Sequence, residues 1–360
     1  MAGAALTIDL VRRTEPIGID FHTYLAAAQV GLNQGWPHIY DQSVVAAAQK
    51  SLAPSLATQP FLSPPTDAWL TAPLTALPYD AAYLVWAVVS FVALAAALAW
   101  ASPSRGVDRW VAVVGALAPW WVMHAVNLGQ VVPLVGAGVV VAWRLIREKH
   151  EVAAGLVLSV ILLKPNSALL VPLALLLAGR FRAFVAWSAA VAVAVVVAAL
   201  TLGSSGLSAY AGQLFGGLPS GADYITLHGA FGVTGWVAAL MRLVVIVAVL
   251  FAAFRMRRSP GLVIPLAITA SLIVAPYLHA SDLILLSAAA WMAWEERPAA
   301  AWRIPLAIGW LVGSSFLSAV GRSPDLTRWP LVEIALCLAL LIAAWRPLTG
   351  AADLKARAPA

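Results

Sequence analysis

Residues 183–202 read AFVAWSAAVAVAVVVAALTL, twenty positions without a charge. A helix of about 20 apolar residues crosses a hydrocarbon core of ~30 Å, so such a run belongs in a bilayer. Similar runs recur along the chain, continuous rather than alternating, which implies helices and argues against a β-barrel. Composition agrees: 62% of the 360 residues are hydrophobic and 11% are charged, where a soluble domain carries about 25% charged residues. The fold expected is therefore an all-α integral membrane protein.

Eleven spans are expected, at roughly 81–101, 110–124, 129–146, 152–163, 167–179, 183–202, 232–254, 261–276, 282–295, 304–320 and 329–346. Two of them, 152–163 and 167–179, are too short to cross alone and meet at LLKPNS. Short helices broken at a proline line a cavity, because broken backbone facing lipid would leave polar groups unpaired.

Lysine and arginine in short loops set the orientation. Alternate connections hold Arg105 and Arg109; Arg144, Arg147 and Lys149; Arg180 and Arg182; Arg255, Arg257 and Arg258; Arg297 and Arg303. Arg346, Lys355 and Arg357 follow in the tail, which places fifteen of the 22 basic residues on the inner side. The net charge of +6 thus reflects helix anchors, and no nucleic-acid partner is expected. Cys337, the sole cysteine, sits in an apolar run, which excludes disulfides and thiolate metal sites.

Three regions follow. Residues 1–80 form an extracytoplasmic segment, 81–346 the membrane bundle and 347–360 a cytoplasmic tail. FHTYLAAAQVGLNQG and residues 41–53 are expected as amphipathic helices; prolines at 60, 64, 65, 73 and 78 break the remainder into pieces on or dipping into the membrane. Residues 1–19 hold no signal peptide or span, so a further N-terminal span is expected to be missing through a late start or a truncated gene. The alternative is that the first span present draws the N-terminus across.

Polar groups cluster in the outward connections, and each must find a partner or a function at membrane depth. Asp20 is either a general base for an acceptor hydroxyl or the N-cap of the helix beginning at Phe21. His279 either shares or positions that proton or bonds to backbone at a helix break, and Asp282 either caps the next helix or orients His279. Lys164 suits a phosphate leaving group or snorkels to the interface. Arg322 and Arg328 either hold a phosphate or are solvated anchors. Tyr24, Asn127 and Gln130, with Asp282, are substrate-binding candidates, Gln130 alternatively capping a re-entrant turn. Asp67 lies in the same outward set. Arg242, mid-segment, is expected to be ion-paired. No nucleotide-binding motif and no metal-ligand spacing occur in the sequence, so no cofactor and no metal are expected, and a cytosolic nucleotide-linked substrate is not expected at an outward site.

Taken in order, GIDFHTYLAAA, HIYDQ, FLSPPTDAWLTAPLTALPYDAAYLVW, NLGQVVPLV, AAGLVLSVILLKPNSALLVPLALLLAGRFRA and YLHASDLILL resemble the elements of glycosyltransferase family 87. That family is a branch of the GT-C fold and includes actinobacterial mannosyltransferases that build phosphatidylinositol mannosides and lipomannan. The resemblance implies a multi-pass GT-C bundle in the plasma membrane, a polyprenyl-phosphate sugar donor, most simply mannose, and a glycolipid or polysaccharide acceptor. It places the base on Asp20, the late histidine on His279 and the Lys-Pro lysine on Lys164. Ser63 departs from the family's usual aromatic before the Pro-Pro pair. The rival readings are a transporter or flippase for lipid-linked glycans, or an inactive paralogue acting as a partner subunit.

Overall fold

The computed structural model describes residues 17–215, 225–258, 260–314 and 329–345, all of it helix and connection without strands. Arg322, Arg328, the expected tail 347–360, residues 1–16 and the end of the span expected at 304–320 lie outside the described residues.

The chain begins with α1 (Ile19–Gln34), a 3-10 turn (Trp36–Tyr40), α2 (Gln42–Leu52) and α3 (Pro65–Thr71). The bundle follows: α4 (Tyr79–Ala101), α5 (Gly106–Leu117), α6 (Trp120–Leu128), α7 (Val132–Arg147), α8 (Glu151–Val157, continued as 3-10 through Leu163), α9 (Leu170–Leu177) and α10 (Phe181–Phe215). Then come α11 (Leu227–Phe231), α12 (Gly235–Arg255), α13 (Val263–Val274), α14 (Ile284–Glu295), α15 (Ala300–Ser314) and α16 (Trp329–Ala343).

Among the described residues, α4, α10 and α12 are long and apolar enough to cross a membrane singly. The pair α5 and α6, bent by 60° at Ala118–Pro119, makes a fourth. Pro119 supplies that break, since it cannot donate to the ladder of the preceding turn. The remaining expected spans are represented by shorter helices, so the eleven crossings read from hydropathy are not matched by eleven full-length helices.

Lipid gives apolar helices no hydrophobic reason to associate, and close packing of small residues does that work instead. Gly155 of α8 shows it: a Cβ there would collide with the Ala183 carbonyl and the Ala186 methyl of α10. The innermost helix is α13, whose residues Val263 through Ile273 are all buried against α9, α12, α14 and α16.

A second core surrounds α1, with Phe21, Leu25, Ile39, Val45 and Phe61 fully enclosed. Burying a phenylalanine or leucine completely stabilises by ~1.5–3 kcal/mol, so this assembly forms a body of its own on the bundle. Its central helix corrects the amphipathic expectation. From Ile19 to Gly31 only Asp20 and Gln29 are not buried, because Ala26, Ala27 and Ala28 let α2, α3 and the 3-10 turns close in on several sides. By contrast α2 is amphipathic, its start capped by Asp41, whose Oδ1 accepts from the amides of Ser43 (3.1 Å) and Val44 (3.3 Å). Beyond a break at Gly203, α10 leans onto this body and stacks Tyr210 on Tyr40 at 4.8 Å.

The arginine-bearing connections meet at one end of the bundle. Glu295 accepts from Ser102 (2.8 Å) and Ser104 (2.9 Å), Arg147 pairs with Glu296 (3.2 Å), and Arg180 pairs with Glu151 (3.1 Å). A cleft of about 680 Å³ at this end is lined by Lys149, His150, Glu151, Arg180 and Arg182 among others. The connections free of such anchors, containing Gln130, Lys164 and Asp282, converge elsewhere, against α1.

Candidate active site

Gly18 and Gly129 bring α1 to the bundle. Gly18 adopts φ +74 and donates its amide to the Asn127 carbonyl at 2.7 Å, while its own carbonyl accepts from Tyr79 at 3.0 Å. Gly129, also at φ +74, closes α6 directly over the first turn of α1. A Cβ there would stand 2.5 Å from the Phe21 Cβ, so only glycine permits the approach. Trp86 fixes the corner by donating its indole N–H to the Gly129 carbonyl at 2.8 Å.

This docking sets Gln130 beside Asp20. The Gln130 amide N–H donates to Asp20 Oδ2 at 2.6 Å. Its carbonyl oxygen accepts from the Tyr24 hydroxyl and from Lys164 Nζ, each at 3.3 Å. Lys164, 8% exposed, forms an ion pair with Asp282 Oδ1 at 2.7 Å, and Asp282 Oδ2 accepts from the His279 backbone amide at 2.9 Å. One continuous polar chain therefore runs from Asp20 through Gln130 and Lys164 to Asp282, contributed by α1, the start of α7, the Lys-Pro break and the turn before α14.

Asp20 is half-buried. The cap of α1 is Gly18, with no side-chain bond, and Asp20 lies inside the first turn with its carboxylate turned to Gln130; the N-cap alternative is thereby set aside. Burial pushes the Asp20 carboxyl up to about 6, against the opposing pull of Lys164 and the Gln130 amide. A carboxylate poised there can take a proton near neutrality, and its exposed side leaves room for the hydroxyl that would supply it.

The other candidates sort by position. Tyr24 and Gln130 stand within the chain. Asp282 both caps its turn and neutralises Lys164, so the snorkelling alternative for Lys164 fails: its ammonium is held inside the protein. Asn127 anchors Gly18 through its backbone, and its side-chain N–H is buried without a partner among the described residues. His279 is exposed at the edge of the cluster, 6.1 Å from the Tyr277 ring, and Asp20 bonds to Gln130 rather than to it. Asn166 secures the neighbouring wall by donating to the Tyr277 carbonyl at 3.2 Å. Arg242 is half-buried, its Nε without a hydrogen-bond partner among the described residues.

Sequence reasoning missed the Asp20–Gln130 bond. The signal was present in Gly129 immediately before a glutamine, a residue that docks tightly followed by one that reaches out. No group of three or more histidine, cysteine, aspartate or glutamate side chains with metal-holding geometry occurs among the described residues.

A helical membrane bundle that gathers a poised carboxylate and a buried lysine at one end of its helices has the parts of a membrane transferase. Comparison with known proteins makes this definite. The sequence profile of glycosyltransferase family 87 matches residues 61–317, and the chain belongs to that family. It is a membrane glycosyltransferase, using a sugar donor and an acceptor. No curated protein and no solved structure matches it.

Proposed function

We propose that this chain transfers a hexose, mannose in the first instance, from a polyprenyl-phosphate donor to a glycolipid or polysaccharide acceptor at the extracytoplasmic face of the plasma membrane. The observation that carries the reading is the chain Asp20–Gln130–Lys164–Asp282, which holds a base and a buried cation a few hydrogen bonds apart. In this reading the shorter helices complete their crossings as packed pieces, giving eleven passes.

Asp20 removes the proton from the acceptor hydroxyl as its oxygen attacks the anomeric carbon. The bond from that carbon to the phosphate oxygen breaks, and the polyprenyl phosphate leaves with the electron pair. A β-linked donor thus yields an α-linked product. Lys164 steadies the departing phosphate, which needs little protonation, being a good leaving group; Arg322 and Arg328 assist it. Gln130 holds the Asp20 carboxylate in line, and Tyr24 and Asn127 contact the sugars. His279, at the edge, positions the acceptor.

Membranes containing the chain are supplied with radiolabelled polyprenyl-phosphate mannose, polyprenyl-phosphate glucose or GDP-mannose, with a mannolipid acceptor. Transfer from a lipid-linked sugar and none from the nucleotide sugar is expected. Transfer from GDP-mannose in membranes that cannot make the lipid-linked donor would overturn the proposal.

A further inference from the structure

Asp67 is the most anomalous polar residue of the fold. It lies in the first turn of α3, is wholly inaccessible, and neither carboxylate oxygen makes a close hydrogen bond among the described residues, the Ser63 hydroxyl being the one side-chain donor beside it. Buried carboxylates are ordinarily paired or fully hydrogen-bonded, because their desolvation is otherwise uncompensated. Its placement is not slack. Thr71, one turn on, donates to the carbonyls of Asp67 (2.9 Å) and Tyr24 (3.2 Å), and Thr66 donates to the Leu162 carbonyl at 3.2 Å. α3 is thus pinned between α1 and the segment leading to Lys164.

The surroundings of Asp67 are those of the active site. Its charge acts on the hydroxyls of Tyr24, Tyr40, Tyr210 and Tyr277, and Lys164 acts on it in turn. Yet Lys164 bonds to Asp282 and Gln130 and not to Asp67, Tyr24 donates to Gln130, and Tyr40 donates to the Ser63 carbonyl. Burial pushes the Asp67 carboxyl well above the ordinary range, with the Ser63 hydroxyl and Lys164 pulling the other way. A carboxyl group surrounded by phenols, held rigidly and with only the Ser63 hydroxyl beside it, keeps bonding capacity for an outside partner.

We propose that Asp67 is a sugar-binding residue of the active site, hydrogen-bonding ring hydroxyls of a pyranose seated between it and the Asp20–Lys164 chain. This rests on the glycosyl-transfer reading and adds to it a second carboxyl with a different task. Asp20 takes a proton during the reaction, whereas Asp67 recognises the sugar before it. The pyranose can be that of the donor or that of the acceptor.

The test uses purified full-length chain and three probes: farnesyl-phosphate mannose, farnesyl phosphate without the sugar, and octyl mannoside. Binding is read by intrinsic tryptophan fluorescence for the parent, Asp67→Leu and Asp67→Asn. Removing a polar group built to hold a substrate hydroxyl is expected to weaken a sugar-bearing probe on the order of tenfold or more, with farnesyl phosphate nearly unchanged and Asp67→Asn recovering part of the loss. A loss confined to farnesyl-phosphate mannose assigns the donor ring, and one confined to octyl mannoside the acceptor ring. The ligand-free Asp67→Leu protein is expected to melt no lower than the parent, since it loses a buried carboxyl whose bonding is incompletely satisfied. Unchanged binding of both sugar probes, equal losses on all three, or a lowered melting point would overturn the proposal and make Asp67 a structural residue. A parent that binds neither sugar probe would instead refute the glycosyl-transfer reading itself.

Discussion

Replacing Gln130 with leucine removes the one side chain that donates to Asp20 at close range among the described residues, through the 2.6 Å bond to Oδ2, while keeping a side chain of similar bulk. A hydrogen bond to a charged group contributes ~1.5–3 kcal/mol, and one pKa unit corresponds to ~1.4 kcal/mol. The Asp20 carboxyl, at about 6 in the parent, should therefore rise by about one to two units. In the proposed role Asp20 works only when deprotonated, so activity is expected to fall as pH drops through that value. The acid limb of kcat/KM is accordingly expected near 6 in the parent and at ~7–8 in Gln130→Leu. Near neutrality the ionised fraction falls from roughly nine-tenths to half or less, and the activity lost returns at alkaline pH. The assay is the pH profile of mannosyl transfer by both proteins at matched membrane levels. An acid limb that does not move, or a loss equal at every pH, would refute the reasoning.

Three further outcomes follow from the same geometry. Lys164→Met strands the fully buried Asp282 at a cost of ~3–5 kcal/mol; it should yield little folded protein by size-exclusion chromatography. The pair Lys164→Met with Asp282→Leu should recover folded protein without transfer, and a double variant as poorly folded as the single would contradict the pairing. Gly129→Ala combines φ +74 with a Cβ 2.5 Å from Phe21, so overpacking and backbone strain should cost ~1–3 kcal/mol of stability, lowering melting temperature and transfer together; an alanine tolerated without effect would refute the close-docking account. Asp20, raised from 3.8 to about 6, keeps a proton in the folded state that it surrenders when unfolded. Its contribution to stability therefore declines as pH rises across that window, on the order of 3 kcal/mol. Asp20→Asn should flatten that decline in melting temperature, and a slope identical to the parent's would contradict the raised value.

The grouping of these candidate residues is legible in the sequence, and their wiring is not. Asp20, Gln130, Lys164 and Asp282 sit in connections that lack the arginine anchors, so the alternation of basic loops is enough to group them on one face. Which atom bonds to which is hidden, because Gln130 reaches Asp20 across 110 residues of chain and only through the docking that Gly129 allows. Lys164 and Asp282 each have a plausible local role, a snorkelling lysine and a helix cap. Their pairing needs the tertiary fold, and the cap coexists with it. Helix α1 misleads for a related reason: its periodicity promises one wet face, but three consecutive alanines invite neighbours on every side, and periodicity alone does not reveal how many arrive. The span count suffers from the reverse limitation. Hydropathy registers apolar content, and it merges bent or short helices such as α5 with α6 into crossings of ordinary length. Asp67 is visible as an outward polar residue, but its complete burial belongs to packing that no local pattern encodes.

The central claim is that Asp20 is the base of a lipid-linked sugar transfer. It is tested most directly by measuring transfer from radiolabelled polyprenyl-phosphate mannose to a mannolipid in membranes carrying the parent or Asp20→Asn at equal folded levels. Transfer by the parent that Asp20→Asn abolishes, with binding of the donor retained, is the predicted result. Equal transfer by the two proteins would remove Asp20 from the mechanism.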